Sequence, residues 1–252
     1  MSPTPLPAWV SDGRSGVHGP DGSWSAHRGI NVPRSGLPVY ARQLFPETVL
    51  GETLPTPEHS GETLYRNDGV RLWTLPAIDP GIGILSFTSK MHAIGNEVMD
   101  GLLAAVAYAE DHLDGLVLWH EAPFAVGANL QQVAAAIAAG QFDLLEATVE
   151  KFQRASQALK YAQIPTVAAV QGLALGGGCE FVMHASKRVL ALESYIGLVE
   201  AGVGLIPAGG GCKEFALRAA ELAQRTATPN EVFPFLQNPF MTIAMAKVSG
   251  SA

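Results

Sequence analysis

Cysteine is nearly absent, with two residues, Cys179 and Cys212, in a chain of 252. That density is incompatible with a disulfide scaffold, and a reducing, cytoplasmic setting is the expectation. Neither cysteine has a CxxC partner, so a zinc site is not expected. Positive charge is also scarce. Lys plus Arg number 16 against 23 Asp plus Glu, a net charge of −7. With no basic run to offset it, this balance argues against nucleic acid as a partner. Gly, Gln or a charge interrupts every apolar stretch well before membrane-spanning length, so no membrane span is expected. The first residues have neither the basic and apolar regions of a secretory signal nor the Arg-rich character of a transit peptide. Both nucleotide fingerprints, GxxxxGK[ST] and a GxGxxG opening a βαβ unit, are lacking. His92, His120 and His184 show no HxxxH or HExxH spacing, so no metal centre is expected.

What the chain does have is apolar mass. Its composition is 48% hydrophobic and 15% charged, which fits a globular protein with a sizeable core. Residues 1–62 are rich in Pro, Gly and Ser and hold more than half of the prolines. They read as a linker or extended arm, with apolar islands at Leu37-Pro-Val-Tyr40 and Leu44-Phe45. Residues 63–252 carry the periodic patterns. Val70–Leu75 and Gly83–Phe87 read as strands joined by a turn at Asp79-Pro-Gly81. Ile94, Val98, Leu102, Val106 and Ala109 recur at helical spacing up to Asp111. Leu116–Trp119 reads as a buried strand, and Leu144–Ala162 as a long helix ending before Ile164-Pro165. The strand Thr166–Val170, a helix to about His184, the strand Arg188–Leu192 and a helix over Glu214–Leu222 complete the pattern. Such alternation predicts an α/β layered fold with mainly parallel pairing.

The most informative segment is Gly172-Leu-Ala-Leu-Gly-Gly-Gly-Cys-Glu180. Three consecutive glycines at a predicted helix start leave backbone N–H groups unshielded, an arrangement that favours negative charge. Glu180 stands one helical turn past Gly177, and Glu200 follows 20 residues later. Either glutamate alone could be a dipole-complementing or loop residue. Both, however, sit among apolar neighbours, and burying an unpartnered carboxylate costs several kcal/mol. Amide donors beside two such carboxylates suit a reaction that builds an oxyanion and moves protons. Cys179 could be a helix-N-terminal nucleophile, but packing is preferred, since cysteine is among the most buried residue types. Gly127 could free a backbone N–H for a ligand or could belong to an ordinary turn. Gly209-Gly-Gly211 reads as a packing turn.

Three segments resemble the crotonase family. Phe124-Ala-Val-Gly-Ala-Asn-Leu130 is similar to its F-[SA]-A-G-A-D-[LI]. Ile164-Pro-Thr-Val-Ala-Ala-Val-Gln-Gly-Leu-Ala-Leu-Gly-Gly-Gly-Cys-Glu180 is similar to its core signature K-P-x-[IV]-A-A-[VI]-x-G-x-A-x-G-G-G-C-E. Leu198-Val-Glu-Ala-Gly-Val-Gly-Leu-Ile-Pro-Ala-Gly-Gly-Gly211 is similar to its [FQ]-P-E-x-x-x-G-[IL]-x-P-G-x-G-G. Asn129 stands where the family has aspartate, and Val199 where it has proline. The resemblance covers residues 65–248.

The resemblance implies a ββα superhelix that binds acyl-CoA thioesters, with coenzyme A entering as part of the substrate and no bound cofactor. By motif position the Ala128 and Gly177 amides form the oxyanion hole, at about 2.7–4 kcal/mol per donor in the transition state. Lys90, Met91, Ala125, Gly127 and Gly176 lie along the substrate. Glu180 and Glu200 fill the two positions that hydratases of the family require. The implied function is hydration of a 2-enoyl-CoA in fatty-acid β-oxidation. The alternatives are an enoyl-CoA isomerase, or a poorly active acyl-CoA-binding module. Set against the family, the domain is expected to be C-terminally truncated and to carry an added N-terminal arm. This resembles the C-terminal hydratase part of a bifunctional 3-hydroxyacyl-CoA dehydrogenase/enoyl-CoA hydratase. Its implied partners are that dehydrogenase portion and further copies of the chain.

Overall fold

The computed structural model describes residues 18–19, 22–25, 28–32 and 61–250. The chain divides into two compact units, Met1–Thr56 and Pro57–Ala252. In the first, β1 (His18–Gly19), β2 (Gly22–Ser25) and β3 (Ile30–Val32) form a small antiparallel sheet in that order. These strands fall within the stretch expected to be an arm. The apolar islands at 37–40 and 44–45 lie outside the described residues.

The second unit is built on one six-stranded mixed sheet. Its strands are β4 (Glu62–Arg66), β5 (Val70–Leu75), β6 (Asp79–Phe87), β7 (Gly115–Leu118), β8 (Thr166–Leu175) and β9 (Lys187–Gly197), neighbours in that order. The β4–β5 and β5–β6 pairs are antiparallel, whereas β6 to β9 run parallel. Parallel pairing thus dominates only the half that follows the first crossover helix. Two Asn67 bonds set the entry to β5. Its Oδ1 accepts from the Gly69 and Val70 amides at 2.9 and 2.8 Å, the side-chain turn that favours asparagine.

Strands β6, β8 and β9 differ from the sequence reading, β9 running on five residues past Leu192 to Gly197. The β5–β6 hairpin turns at residues 76–78, where the Ile78 amide reaches the Leu75 carbonyl, and Leu75 already pairs with Asp79. Asp79 does cap the Gly81 amide through Oδ1, but on an extended chain instead of at a reversal. Strand β8 does not end at Val170. A register shift at Val170/Gly172 carries it to Leu175, and Gly172 adopts φ +67 there. Gly172 marks an irregularity inside the strand.

Among the described residues six helices accompany this sheet. They are α1 (Asn96–His112), α2 (Leu130–Ala138), α3 (Phe142–Tyr161), α4 (Gly177–His184), α5 (Gly211–Gln224) and α6 (Phe233–Ala244). The last was not anticipated, since Pro234 and Pro239 argue against a helix. Pro234 falls in its first turn, where a missing N–H is tolerated, while Pro239 lies inside it. The main core gathers Leu72, Leu85, Leu102, Leu118, Phe124 and Phe181, all fully buried. Phe152 of α3 stacks on Phe181 of α4, with centroids 4.8 Å apart, and so fixes the position of α4.

Gly101 tests how closely α1 lies on the sheet. A Cβ there would stand 2.3 Å from Val70 Cγ2, a side chain with no exposed surface. Alanine would gain about 1 kcal/mol of helix propensity, but overpacking of this kind costs about 1–3 kcal/mol. Gly101→Ala should therefore lower the unfolding free energy in urea titrations. A rise would mean that the helix–sheet contact yields easily.

Candidate active site

The site forms where the parallel strands β7, β8 and β9 end. Strand β8 leaves the sheet at Leu175, and Gly176 turns the chain with φ 53 and ψ −121, a conformation open to glycine. Helix α4 begins at Gly177, and its first helical bond runs from the Glu180 amide to the Gly176 carbonyl at 3.0 Å. The Gly177, Gly178 and Cys179 amides precede that bond and have no acceptor on their own helix. A Cβ on Gly177 would meet the Phe152 ring at 2.6 Å, and one on Gly178 would meet Ala125 Cβ at 2.7 Å. The glycine triplet is thus required by packing as well as by the turn.

The loop after β7 lies against this turn. Ala125 pairs with β8 on both sides, donating to the Leu173 carbonyl and accepting from the Leu175 amide at 2.9 Å each. Its backbone is consumed in holding the loop, so it sits at the loop's base and not at its open edge. Gly127 has φ +96, and a Cβ there would meet the Leu175 carbonyl oxygen at 3.0 Å and the Gly177 nitrogen at 3.5 Å. Gly127, Gly176 and Gly177 are therefore brought together, and Ala128, next in the chain, bridges to Ile94. Asn129 caps α2 by accepting from the Gln132 amide, a role that asparagine fills as well as aspartate. Two histidines brace the loop from behind. His92 Nδ1 reaches the Pro123 carbonyl oxygen at 2.5 Å, and His120 Nε2 bonds the Phe124 carbonyl. Burial pushes His120 down to about 3, so it stays neutral. Lys90 lines a small polar hollow with Ser89, Glu97 and Asn129, beside the loop. Met91, at φ 56, is half exposed and lines neither that hollow nor the apolar cavity below.

Both glutamates reach the same neighbourhood. Glu180 is 3% exposed, and its Oε1 accepts from the Gly211 amide at 2.8 Å. Burial raises its carboxyl from 4.5 to about 7, opposed by the Gly211 amide, with Glu200 adding to the rise and the Gly209 and Gly210 amides opposing it. Glu200 opens a short 3-10 turn, Glu200–Val203, after β9. Burial raises its carboxyl too, and Oε2 is buried with no hydrogen-bond partner among the described residues. Its Oε1 lies 3.4 Å from where a Gly176 Cβ would stand. Both carboxylates, after burial itself, help push the Cys179 thiol up to about 12. Cys179 packs with Met183 and Leu198 and holds no thiolate.

The second glycine triplet has a larger part than the packing turn read from sequence. Gly209–Gly211 opens α5 directly against Glu180, and a Cβ on Gly209 would meet Glu180 Oε2 at 2.4 Å and the Phe152 ring at 2.3 Å. Phe152 therefore contacts both triplets. It also lines an apolar cavity of about 480 Å³ between α1, α2 and α3, bordered by Ile94, Met99, Ala128, Val133, Ala136 and Leu145 among others. Neither feature had a local signal beyond a lone acid placed upstream of a GGG helix start.

The family model described as enoyl-CoA hydratase/isomerase matches residues 80–227. The chain belongs to this family, the crotonase superfamily. It is 37% identical over 192 residues to a probable 3-hydroxyacyl-CoA dehydrogenase of Bacillus subtilis, an alignment that covers 75% of this chain and 23% of that protein. It is 30% identical over 189 residues to human mitochondrial methylglutaconyl-CoA hydratase, covering 71% of this chain and 52% of that protein. An enoyl-CoA hydratase of Polaromonas sp. JS666 superposes with a TM-score of 0.58 at 20% identity, covering 72% of this chain and 65% of that one. A putative enoyl-CoA hydratase of Streptomyces coelicolor gives 0.56 at 19% identity, covering 81% and 66%. These superpositions establish a crotonase-like α/β fold, a mixed sheet with flanking helices. Among the described residues no helix is long and apolar enough to cross a membrane.

The raised Glu180 carboxyl has a consequence for stability. Between 4.5 and about 7 the folded chain holds this proton more tightly than the unfolded chain does. Stability from this group is therefore greatest at low pH and is lost as pH rises through about 7, by about 3 kcal/mol. Urea titrations at successive pH values should show this fall in the wild type, and Glu180→Gln should flatten it. An identical slope in the variant would mean that Glu180 titrates normally.

Proposed function

We propose that the chain is an enoyl-CoA hydratase that adds water across the double bond of a 2-enoyl-CoA. The observation that carries this reading is the orphaned Oε2 of Glu200 beside the Gly176 turn, opposite a second buried carboxyl on Glu180. A buried carboxylate oxygen without a partner is costly, and a bound water gives it one.

In this reading the Ala128 and Gly177 amides hold the thioester oxygen as negative charge develops on it. Polarisation through the conjugated system makes Cβ electrophilic. A water between the carboxyl groups attacks Cβ. Glu180 accepts its proton, and Glu200, whose burial favours the protonated form, delivers a proton to Cα. The C–O and C–H bonds formed account for one water, with no change in oxidation state, so no electron acceptor is needed. The two carboxyls titrate as a pair, and apparent values belong to the pair. Lys90, Gly127 and Gly176 border the thioester, and the apolar cavity beside Ala128 receives the acyl tail.

The relatives extend the reading. The Bacillus protein is a probable 3-hydroxyacyl-CoA dehydrogenase, and others are fatty acid oxidation complex subunits. Hydration yields a 3-hydroxyacyl-CoA, the substrate such a dehydrogenase oxidises. The chain then acts as the hydratase portion beside a dehydrogenase partner in fatty-acid oxidation.

Crotonyl-CoA hydration, followed by loss of the conjugated thioester absorbance, tests the reading. Glu180→Gln and Glu200→Gln should each lower kcat by about 10²–10⁴-fold with KM little changed. Activity retained in both variants contradicts it. A 3-enoyl-CoA converted to the 2-enoyl isomer without hydrated product would instead point to isomerisation. Filling the cavity with Ala136→Phe should depress kcat/KM for long acyl chains while sparing crotonyl-CoA. Equal losses on both substrates would place the tail elsewhere.

A further inference from the structure

We propose that His184 and Glu214 are positioning residues that hold the glycine start of α5 against the Glu180 carboxylate. The proposal rests on the reading that Glu180 handles protons in the reaction. His184 lies on α4 one turn beyond Glu180 and is 2% exposed. Its Nδ1 stands 2.7 Å from the Glu180 carbonyl oxygen. A carbonyl only accepts, so Nδ1 carries the hydrogen and the tautomer is fixed. Nε2 then carries no hydrogen and, 3.5 Å from Glu214 Oε1, makes no hydrogen bond to it.

Glu214 is 4% exposed, in the first turn of α5. The same Oε1 takes Lys160 Nζ of α3 at 2.6 Å and Lys213 Nζ at 3.3 Å. Helices α3 and α5 are thereby tied at one oxygen. Burial opposes ionisation of Glu214, but the Lys160 bond, with Lys213 beside it, holds its carboxyl below the ordinary value. Arg188 of β9 is a further cation within electrostatic reach. Around Glu180 the corresponding groups are Glu200, Cys179 and Cys212.

The imidazole also touches the peptide that matters. Gly210 has φ +121, and a Cβ there would stand 2.7 Å from His184 Cε1 and 2.8 Å from Nε2. The next residue, Gly211, donates its amide to Glu180 Oε1. His184 is therefore wedged between the backbone carbonyl of Glu180 and the glycine peptide that binds the Glu180 carboxylate. The Lys160–Glu214 bond anchors the start of α5 to α3 against this wedge, and together they set the distance between that amide and that carboxylate. If the anchor is lost, the amide moves off, and the Glu180 carboxyl holds its proton to higher pH.

Carboxyl-carbon NMR titration of the full chain, with Glu180→Gln to assign the resonance, reads this directly. In Glu214→Gln the Glu180 midpoint should rise by about half a unit or more. In the crotonyl-CoA assay, kcat should fall about tenfold, with KM within about twofold. An unmoved midpoint in folded Glu214→Gln overturns the proposal. If that variant does not fold, Lys160→Met, which removes a half-exposed support, should move the midpoint the same way, and no movement there overturns the proposal equally. Should the wild type fail to hydrate crotonyl-CoA, or Glu180→Gln leave the rate unchanged, the assigned function fails, while the NMR midpoint still decides whether the wedge positions Glu180.

Discussion

The site depends on one contact: a buried carboxylate, Glu180, seated on the amides that open α5. Burying such a group costs several kcal/mol, and here the Gly211 amide and the positive end of a 14-residue helix offset part of it. The seat exists only because residues 209–211 are glycine. A side chain on Gly209 would run into Glu180 Oε2 and Phe152 together. Phe152 in turn presses on Gly177 from the other side and stacks on Phe181. Two glycine helix starts, one phenylalanine and one glutamate are thus mutually constrained, and a change in any one displaces the others.

The sheet explains why these parts meet. Its antiparallel half is a meander closed by local turns. Its parallel half brings the ends of β7, β8 and β9 to one rim. The loop bearing Gly127 and Ala128 follows β7, the Gly176–Gly177 turn follows β8, and Glu200 follows β9. Crevices at the carboxyl ends of parallel strands are the general location for ligand sites in α/β sheets. The crossover helices α1 and α3, with α2 between them, then wall the apolar cavity beside the rim.

Much of this was legible in the sequence. Helix α1 and strand β5 follow directly from periodicity, and the first glycine triplet with its two acids singled out the rim. The parts that were not legible share a physical cause. Gly211 meets Glu180 across 31 residues, and Lys160 meets Glu214 across 54, so no local pattern encodes either pair. The extension of β8 past Gly172 was hidden because a glycine inside a strand reads like the start of a loop. Helix α6 was hidden because prolines count against a helix unless their position in the first turn is known. Ala125, grouped by motif with the substrate contacts, spends both backbone groups on β8, a fact only the pairing reveals.

Isotope labelling tests the central claim most directly. Crotonyl-CoA incubated with the chain in doubly labelled water, ²H₂¹⁸O, should yield 3-hydroxybutyryl-CoA carrying ¹⁸O at Cβ and one deuteron newly bound at Cα. The rate of its formation should fall by about 10²–10⁴-fold when Glu200 is replaced by glutamine. Recovery of unlabelled crotonyl-CoA, or deuterium incorporation without ¹⁸O, would contradict the account of two carboxyls delivering one water across a double bond.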